Sequence, residues 1–320
     1  MNKNKRGNFD SLFHHNWKTP FWTNEKMTLQ KTIKNAVRGL VWRVKYGFFD
    51  HLLPKFMRIA IDEENTEHYS HDRSGYPLVS IIIVTWNHLE YTKLCIENIF
   101  EQNTYQNIEI IVVDNGSQDG TLEYLRKIQL RKNNVTVINN QVNLGFAKAN
   151  NIGIGHAKGQ YIILLNNDTV VTSGWVEGII RYLTDREIGM VGPVTNNVGN
   201  EARIRVYYHD LIEMAYFAKR YAVKKKGHVF DIPMLAMYCT AIRRETINKI
   251  GLLDEQFEVG KFEDNDYARR VRNAGFRIVC AADVFIHHFG SASIRMLSES
   301  EYRMIFEQNR QRYEKKWDIR

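Results

Sequence analysis

Three apolar runs of strand length in this chain each close on polar residues: Val79–Ile83 on Thr85 and Asn87, Ile110–Val113 on Asp114, and Tyr161–Leu165 on Asn166, Asn167 and Asp168. Apolar runs of this kind suit strands of a parallel sheet, which is covered by helices on both faces. Side by side, their carboxyl ends gather those polar side chains at one crevice, where strand order reverses and open α/β sheets bind ligands. Carboxylates and amides together suit a metal-bound, phosphorylated nucleotide.

The stretches between the runs are helical in pattern. Leu89–Gln102 carries Leu94, Ile96, Ile99 and Phe100 on one side, and Gly120–Lys132 follows the turn Asp114-Asn115-Gly116-Ser117. Val135–Ile138 predicts a strand, Gly145–Ala157 a helix and Trp175–Leu183 another helix. Repeated β-α-β units with short connections predict an α/β fold with a mostly parallel, Rossmann-like sheet and helices on both faces. Beyond Gly192 the pattern breaks into loops and shorter elements as far as Pro233. A strand at Leu235–Ile242, a helix at Asp264–Ala274, a strand at Phe276–Cys280 and a helix at Glu299–Trp317 follow.

The net charge of +8 is local. Eight Lys/Arg between Lys26 and Arg58 stand against the single acid Asp50, so that stretch alone carries +7. The remainder is close to neutral, which argues against a general nucleic-acid-binding surface. From Leu29 to Phe48 apolar residues recur at three- and four-residue steps, drawing one stripe along a helix. Such a basic helix either lies on an anionic membrane surface near a lipid-linked acceptor or packs on the rest of the chain or on a second subunit. The polar stretch Asp62–Gly75 and Pro77 read as a linker, so residues 1–76 form an extension and 77–320 the main domain. Cys95, Cys239 and Cys280 fit neither a disulfide framework nor a zinc spacing, and no secretory signal or bilayer-length apolar run is visible. A cytoplasmic protein, peripheral on the inner face of the membrane in the first of the two readings, is the expectation.

Seven blocks carry a resemblance: Val79–Asn87, Val112–Thr121, Asn143–Gly153, Leu164–Asp168, Ile250–Phe257, Phe262–Asp266 and His287–Ser293. In this order they resemble the inverting glycosyltransferases of family 2 with the GT-A fold, and within them the rhamnosyltransferase-like branch. The first 75 residues lie outside the resemblance. It implies that Thr85, Asn87 and Asp114 hold the nucleotide, with Gly145 allowing close approach of the backbone. Asn166 and Asn167 join them in the donor site. Asp168 matches the last acid of the family's Asp-x-Asp metal motif and would hold Mg²⁺ or Mn²⁺ against the donor diphosphate. The first position of that motif is Asn166 here, and a neutral amide binds metal more weakly. His288 aligns with the family histidine that completes the metal or diphosphate site; neighbouring strand residues face opposite ways, so the sequence leaves open which of His287 and His288 points inward, with His288 favoured and His287 a supporting candidate. Asp264 is the implied general base. Glu263 and Asp266 stand beside it as supporting residues, Asp266 at i,i+4 spacing from Arg270. Acids at a helix start also serve as plain structural caps, the bland alternative for Glu263–Asp266.

The implied reaction moves one sugar from a nucleotide-diphosphate sugar to a carbohydrate or lipid-linked glycan acceptor, with inversion at the anomeric carbon, in bacterial surface polysaccharide or glycoconjugate assembly. No Gln-x-x-Arg-Trp motif appears, which favours single transfer over polymerisation. The competing readings are a nucleotidyltransferase, although Val79–Asn87 lacks the glycine-rich basic loop of that class, and a non-catalytic nucleotide-sugar-binding relative.

Overall fold

The computed structural model describes residues 75–258, 260–290 and 298–319. The basic stretch 27–48, the linker as far as residue 74 and the end of the last sequence block, 291–293, lie outside the described residues. Strand β1 is Val79–Thr85, helix α1 Leu89–Gln102, β2 Ile108–Asp114, α2 Thr121–Arg131 and β3 Val135–Asn139. They are followed by α3 at Phe146–His156, β4 at Tyr161–Asn166, the short β5 at Thr169–Val170 and α4 at Trp175–Ile180. The helix expected at Trp175–Leu183 tightens after Ile180 into a 3₁₀ turn at Arg181–Thr184.

The second half holds elements that the sequence pattern missed. They are β6 at Ile188–Val194, α5 at Leu211–Lys225, β7 at Val229–Asp231 and α6 at Arg244–Ile250. The strand expected at Leu235–Ile242 starts later, as β8 at Cys239–Arg243, because Leu235 and Met237 are buried from a loop. Helix α7 is Glu263–Asn273, β9 Arg277–Phe285, β10 His287–His288 and α8 Glu299–Trp317.

The main sheet has the order β3-β2-β1-β4-β8-β6-β9-β7. Its first half is parallel, with Thr85 of β1 level with Asp114 of β2, and Val84 level with Asn166 of β4. The chain leaves β1 for β2 on one side and returns to β4 on the other, so the switch point falls at the three polar strand ends. The second half is mixed: β8 runs antiparallel to both β4 and β6, and β7 antiparallel to β9. A second sheet of two short strands pairs β10 with β5.

Strands β1, β2 and β4 are buried along almost their whole length, as strands covered on both faces must be. Helix α3 lies close on β1 and β2 through Gly153, where an added Cβ would collide with Ile82 Cγ2 and touch Val113 Cγ2 at 3.4 Å. We expect Gly153→Ala to cost about 1–3 kcal/mol through overpacking, read as a lower urea midpoint at unchanged slope; an unchanged midpoint would mean the helix lifts off at no cost.

Helix α8 starts on a capping box in which Ser298 and Glu301 exchange hydrogen bonds with each other's backbone. It is anchored at its far end by Asp266, whose fully buried carboxylate accepts from Arg270 Nε at 2.9 Å and Trp317 Nε1 at 3.0 Å and meets Lys316 Nζ at 2.6 Å. Three donors on one buried carboxylate offset the cost of its burial, so Asp266 joins α7 to α8.

Candidate active site

The β1–α1 and β2–α2 loops are sewn together at the switch point. Asn87 and His88 both take left-handed backbone angles, φ 55° and 59°. The Asn87 N–H donates to Ser117 Oγ at 2.7 Å, and its side-chain oxygen accepts from the Gln118 N–H at 2.8 Å. Thr85 points back toward α1: its hydroxyl and that of Thr92 are 2.7 Å apart, and Asn167 Nδ2 donates to both. Thr85 and Asn167 are therefore buried together and fix the end of β4 against α1.

Asp114 is buried at the mouth of the crevice. One of its oxygens accepts from the Ser117 N–H at 3.2 Å, while Oδ1 is buried with no hydrogen-bond partner. Burial pushes its pKa up, partly offset by the hydrogen bonds of Ser117. A buried carboxylate oxygen without a partner fits a base N–H or ribose hydroxyl delivered by a ligand.

Beside it, Asn115 organises the next loop. Its Nδ2 donates to Asn143 Oδ1 at 2.8 Å, and its Oδ1 accepts from Asn140 Nδ2 and from the Leu144 N–H, both at 3.1 Å. Gly116, at φ 82°, lets that loop close over it, since an added Cβ would sit 2.8 Å from Val142 Cα. Gly145 lies at the N-terminus of α3 with φ 80° and ψ 172°, open to glycine and strained for any other residue.

Asp168 and His288 meet because β10 pairs with β5. His288 lies opposite Thr169, which brings its Nε2 to 3.3 Å from Asp168 Oδ1. Its Nδ1–H donates to the Asn197 carbonyl at 2.9 Å, and its backbone is bridged by the Asn196 side chain. Tyr238 stacks on the imidazole at 4.9 Å with planes 17° apart. With Nδ1 committed to a carbonyl, Nε2 is the ring nitrogen turned toward the carboxylate, and a cation could be held between the two. This nitrogen–oxygen pair fits a divalent transition metal. Among the described residues no group of three or more His, Cys, Asp or Glu could hold a metal alone, so further ligands would come from a bound diphosphate or water.

His287 points elsewhere. Its Nδ1 is 2.6 Å from the Tyr208 hydroxyl and its ring packs on Phe289, while burial lowers its pKa to about 4. Of the two histidines, His288 alone faces Asp168. Asn166 ends β4 partly exposed, its N–H bonded to the Tyr238 carbonyl.

The acidic pair Glu263–Asp264 opens α7. The capping alternative does not take the N-cap form: Phe262 sits at that position with φ 74° and makes no side-chain cap, and of the first-turn acids Asp264 accepts from the Asn265 N–H. Glu263 is buried, and its Oε2 has no hydrogen-bond partner. Burial, reinforced by the charge of Asp264, raises its pKa. Asp264 is partly exposed and accepts from the Asn265 N–H at 2.8 Å; its pKa is raised by burial and partly held down by Lys261.

Residues 80–251, more than half of the chain, match the family model for glycosyl transferase family 2. The chain belongs to that family. It is 39% identical over 107 residues to an uncharacterized glycosyltransferase of Haemophilus influenzae, covering 33% of each chain. Glycosyltransferase GlyG of Streptococcus pneumoniae is 35% identical over 114 residues, 36% of this chain and 38% of that relative. The match thus spans about a third of the length of these two relatives. Glycosyltransferase AglE of Haloferax volcanii is 26% identical over 220 residues, 67% of this chain and 68% of that one. Among solved structures, GalNAc-T7 with UDP, GalNAc and Mn²⁺ superposes with a TM-score of 0.55 at 20% identity, covering 67% of this chain and 44% of that one. The mannosyltransferase PcManGT of Pyrobaculum calidifontis, with GDP-Man and Mn²⁺, gives 0.53 at 18% identity, covering 82% and 71%. At these identities the structures show the GT-A fold alone.

The candidate site of this member of glycosyl transferase family 2 includes three residues that the sequence reading passed over. Asn115 stood in plain view inside the turn after β2, its signal an amide side chain between Asp114 and Gly116. Asn197 and Tyr238 carried no signal, because only the tertiary fold brings them to His288. Among the described residues no helix is long and apolar enough to cross a membrane.

Proposed function

We propose that the chain transfers a single sugar from a nucleotide-diphosphate donor to an acceptor hydroxyl by one displacement, with inversion. The observation that carries this is the Asp168–His288 pair at the switch point, one strand from the buried, unsatisfied Asp114 Oδ1. In this reading Asp114 accepts from the nucleoside, and the backbone around Gly116 and Gly145 lines the donor. Asp168 and His288 would hold Mg²⁺ or Mn²⁺, which would stabilise charge on the departing diphosphate as a Lewis acid. The GT-A relatives solved with a nucleotide and Mn²⁺ support that choice.

Asp264 takes the proton from the acceptor hydroxyl as its oxygen bonds to the anomeric carbon. The carbon–oxygen bond to the diphosphate breaks on the opposite face, and that electron pair leaves with the phosphate. The transition state is oxocarbenium-like, as in glycoside chemistry. A base raised above the ordinary carboxylate pKa by burial is better matched to proton abstraction near neutral pH.

The test is a panel of UDP-, GDP-, dTDP- and CMP-sugars, each with and without Mn²⁺, read by thermal shift and by release of the free nucleotide. We expect one donor class to stabilise the chain in a metal-dependent way and to be turned over once an acceptor hydroxyl is supplied. Stabilisation without any turnover across an acceptor panel, even to water, would favour a non-catalytic nucleotide-sugar-binding protein.

A further inference from the structure

The family match ends at residue 251, so the acidic pair on α7 and all of α8 lie beyond it. Just before that pair the backbone takes three successive left-handed angles: Gly260 at φ 111°, Lys261 at 82° and Phe262 at 74°. Glycine accepts such angles, whereas lysine and phenylalanine adopt them only when their surroundings impose it. The surroundings here are α8. Asn309, 1% exposed, sends its Nδ2 to the carbonyls of Glu258 at 3.0 Å, Gly260 at 3.0 Å and Lys261 at 3.3 Å. Its Oδ1 accepts from Arg312 Nη1 at 3.1 Å, which fixes the amide orientation. The ring of Phe262 packs on Phe306 and Tyr313 of the same helix, with centroids 5.2 and 5.6 Å away. Backbone and side chain of the strained turn are thus both gripped from α8, one residue before Glu263 and two before Asp264.

We propose that Asn309 is a positioning residue for the Glu263–Asp264 pair: its amide holds the left-handed turn Gly260–Phe262, which sets where α7 begins and where Asp264 is presented. The proposal rests on the reading of Asp264 as the base. The tie through Asp266, Lys316 and Trp317 anchors α8 elsewhere on α7, so loss of Asn309 leaves the helix docked and the Phe262 ring packed, and releases the backbone grip on the turn.

The experiment uses the full chain as wild type, Asn309→Ala, the milder Asn309→Ser, Lys261→Gly, and the double variant of Asn309→Ala with Lys261→Gly. Amide hydrogen exchange across 260–266 is followed beside UDP, GDP and dTDP affinity with Mn²⁺, and beside kcat and donor KM for the nucleotide sugar that the panel identifies. Asn309→Ala should raise exchange across 260–266 at least about tenfold, the ratio for one hydrogen bond, since its Nδ2 reaches three carbonyls. It should lower kcat by about ten- to a hundredfold, with nucleotide affinity and donor KM within twofold. Adding Lys261→Gly should return part of the exchange protection, because glycine holds the left-handed angle unaided; loss of a general packing contact would not be rescued this way. If Asn309→Ala does not fold, Asn309→Ser carries the same comparison. Unchanged exchange across 260–266, or a rise spread evenly over the domain with no rescue, overturns the proposal. Undiminished transfer by Asp264→Asn sinks the base reading instead, while the exchange measurement still decides whether Asn309 holds the turn.

Discussion

Replacing Asp264 with Asn should lower kcat by about 10²–10⁴-fold, the usual contribution of a positioned general base, with donor affinity within a few-fold. The amide keeps the size of the carboxylate and can still accept from the Asn265 N–H, so the loss reports proton abstraction rather than folding. The pH profile gives the same conclusion independently. The base works ionised, so kcat/KM rises with pH through its pKa in the free enzyme. Burial raises that pKa for Asp264, and burial with the neighbouring charge does so for Glu263. The rising limb therefore lies above the ordinary carboxylate range, and the coupled pair titrates as a unit. Glu263→Gln should leave the rising limb in place and remove only the later titration of the pair, because the charge of Asp264 raises Glu263 and not the reverse. A limb at the ordinary carboxylate value, or full activity in Asp264→Asn, would reassign the base.

The second large effect is on binding. Asp168→Ala should abolish the metal-dependent part of nucleotide stabilisation. A nucleotide at 100 times its dissociation constant adds about 2.7 kcal/mol to a folded protein that alone binds it, which for a domain of this size raises Tm by about 5–10 °C. That increment should vanish in Asp168→Ala and shrink in His288→Ala, whereas His287→Ala should keep it, since His287 faces Tyr208. Differential scanning fluorimetry with and without Mn²⁺ reads all four proteins. A shift that survives in Asp168→Ala would place the metal elsewhere.

Several elements were legible to the residue because local patterning and tertiary demand agree. Strand β1 at Val79–Thr85 and helix α1 at Leu89–Gln102 carry unbroken apolar patterns, and α8 runs from Glu299 to Trp317 as expected behind its capping box. Where the pattern failed, a specific feature obscured it. Strand β6 contains Gly189, Gly192 and Pro193, which read as breakers, and each glycine is needed because a Cβ would meet Phe276 or Leu235 at under 3 Å. Helix α5 buries Leu211, Met214 and Ala218 yet exposes Ile212, Tyr216 and Val223, so its apolar stripe is blurred. Its start was still readable, for Asp210 caps the Ile212 and Glu213 amides. The antiparallel insertion of β8 between β4 and β6 leaves no local trace, since a buried strand looks alike in either direction.

The sequence by itself determined the parallel half of the sheet and the identity of the polar strand ends, because strand burial and connection length are local properties and parallel pairing aligns the ends. Only the tertiary structure decided which histidine meets Asp168, since that depends on the two-residue pairing of β10 with β5 across more than a hundred residues. It alone decided that Thr85 and Asn167 turn inward to Thr92 while Asp114 keeps an unsatisfied oxygen in the crevice. The grip of α8 on the turn before Asp264 is of the same kind. Left-handed angles at Lys261 and Phe262 are disfavoured locally, and distant side chains supply the contacts that impose them.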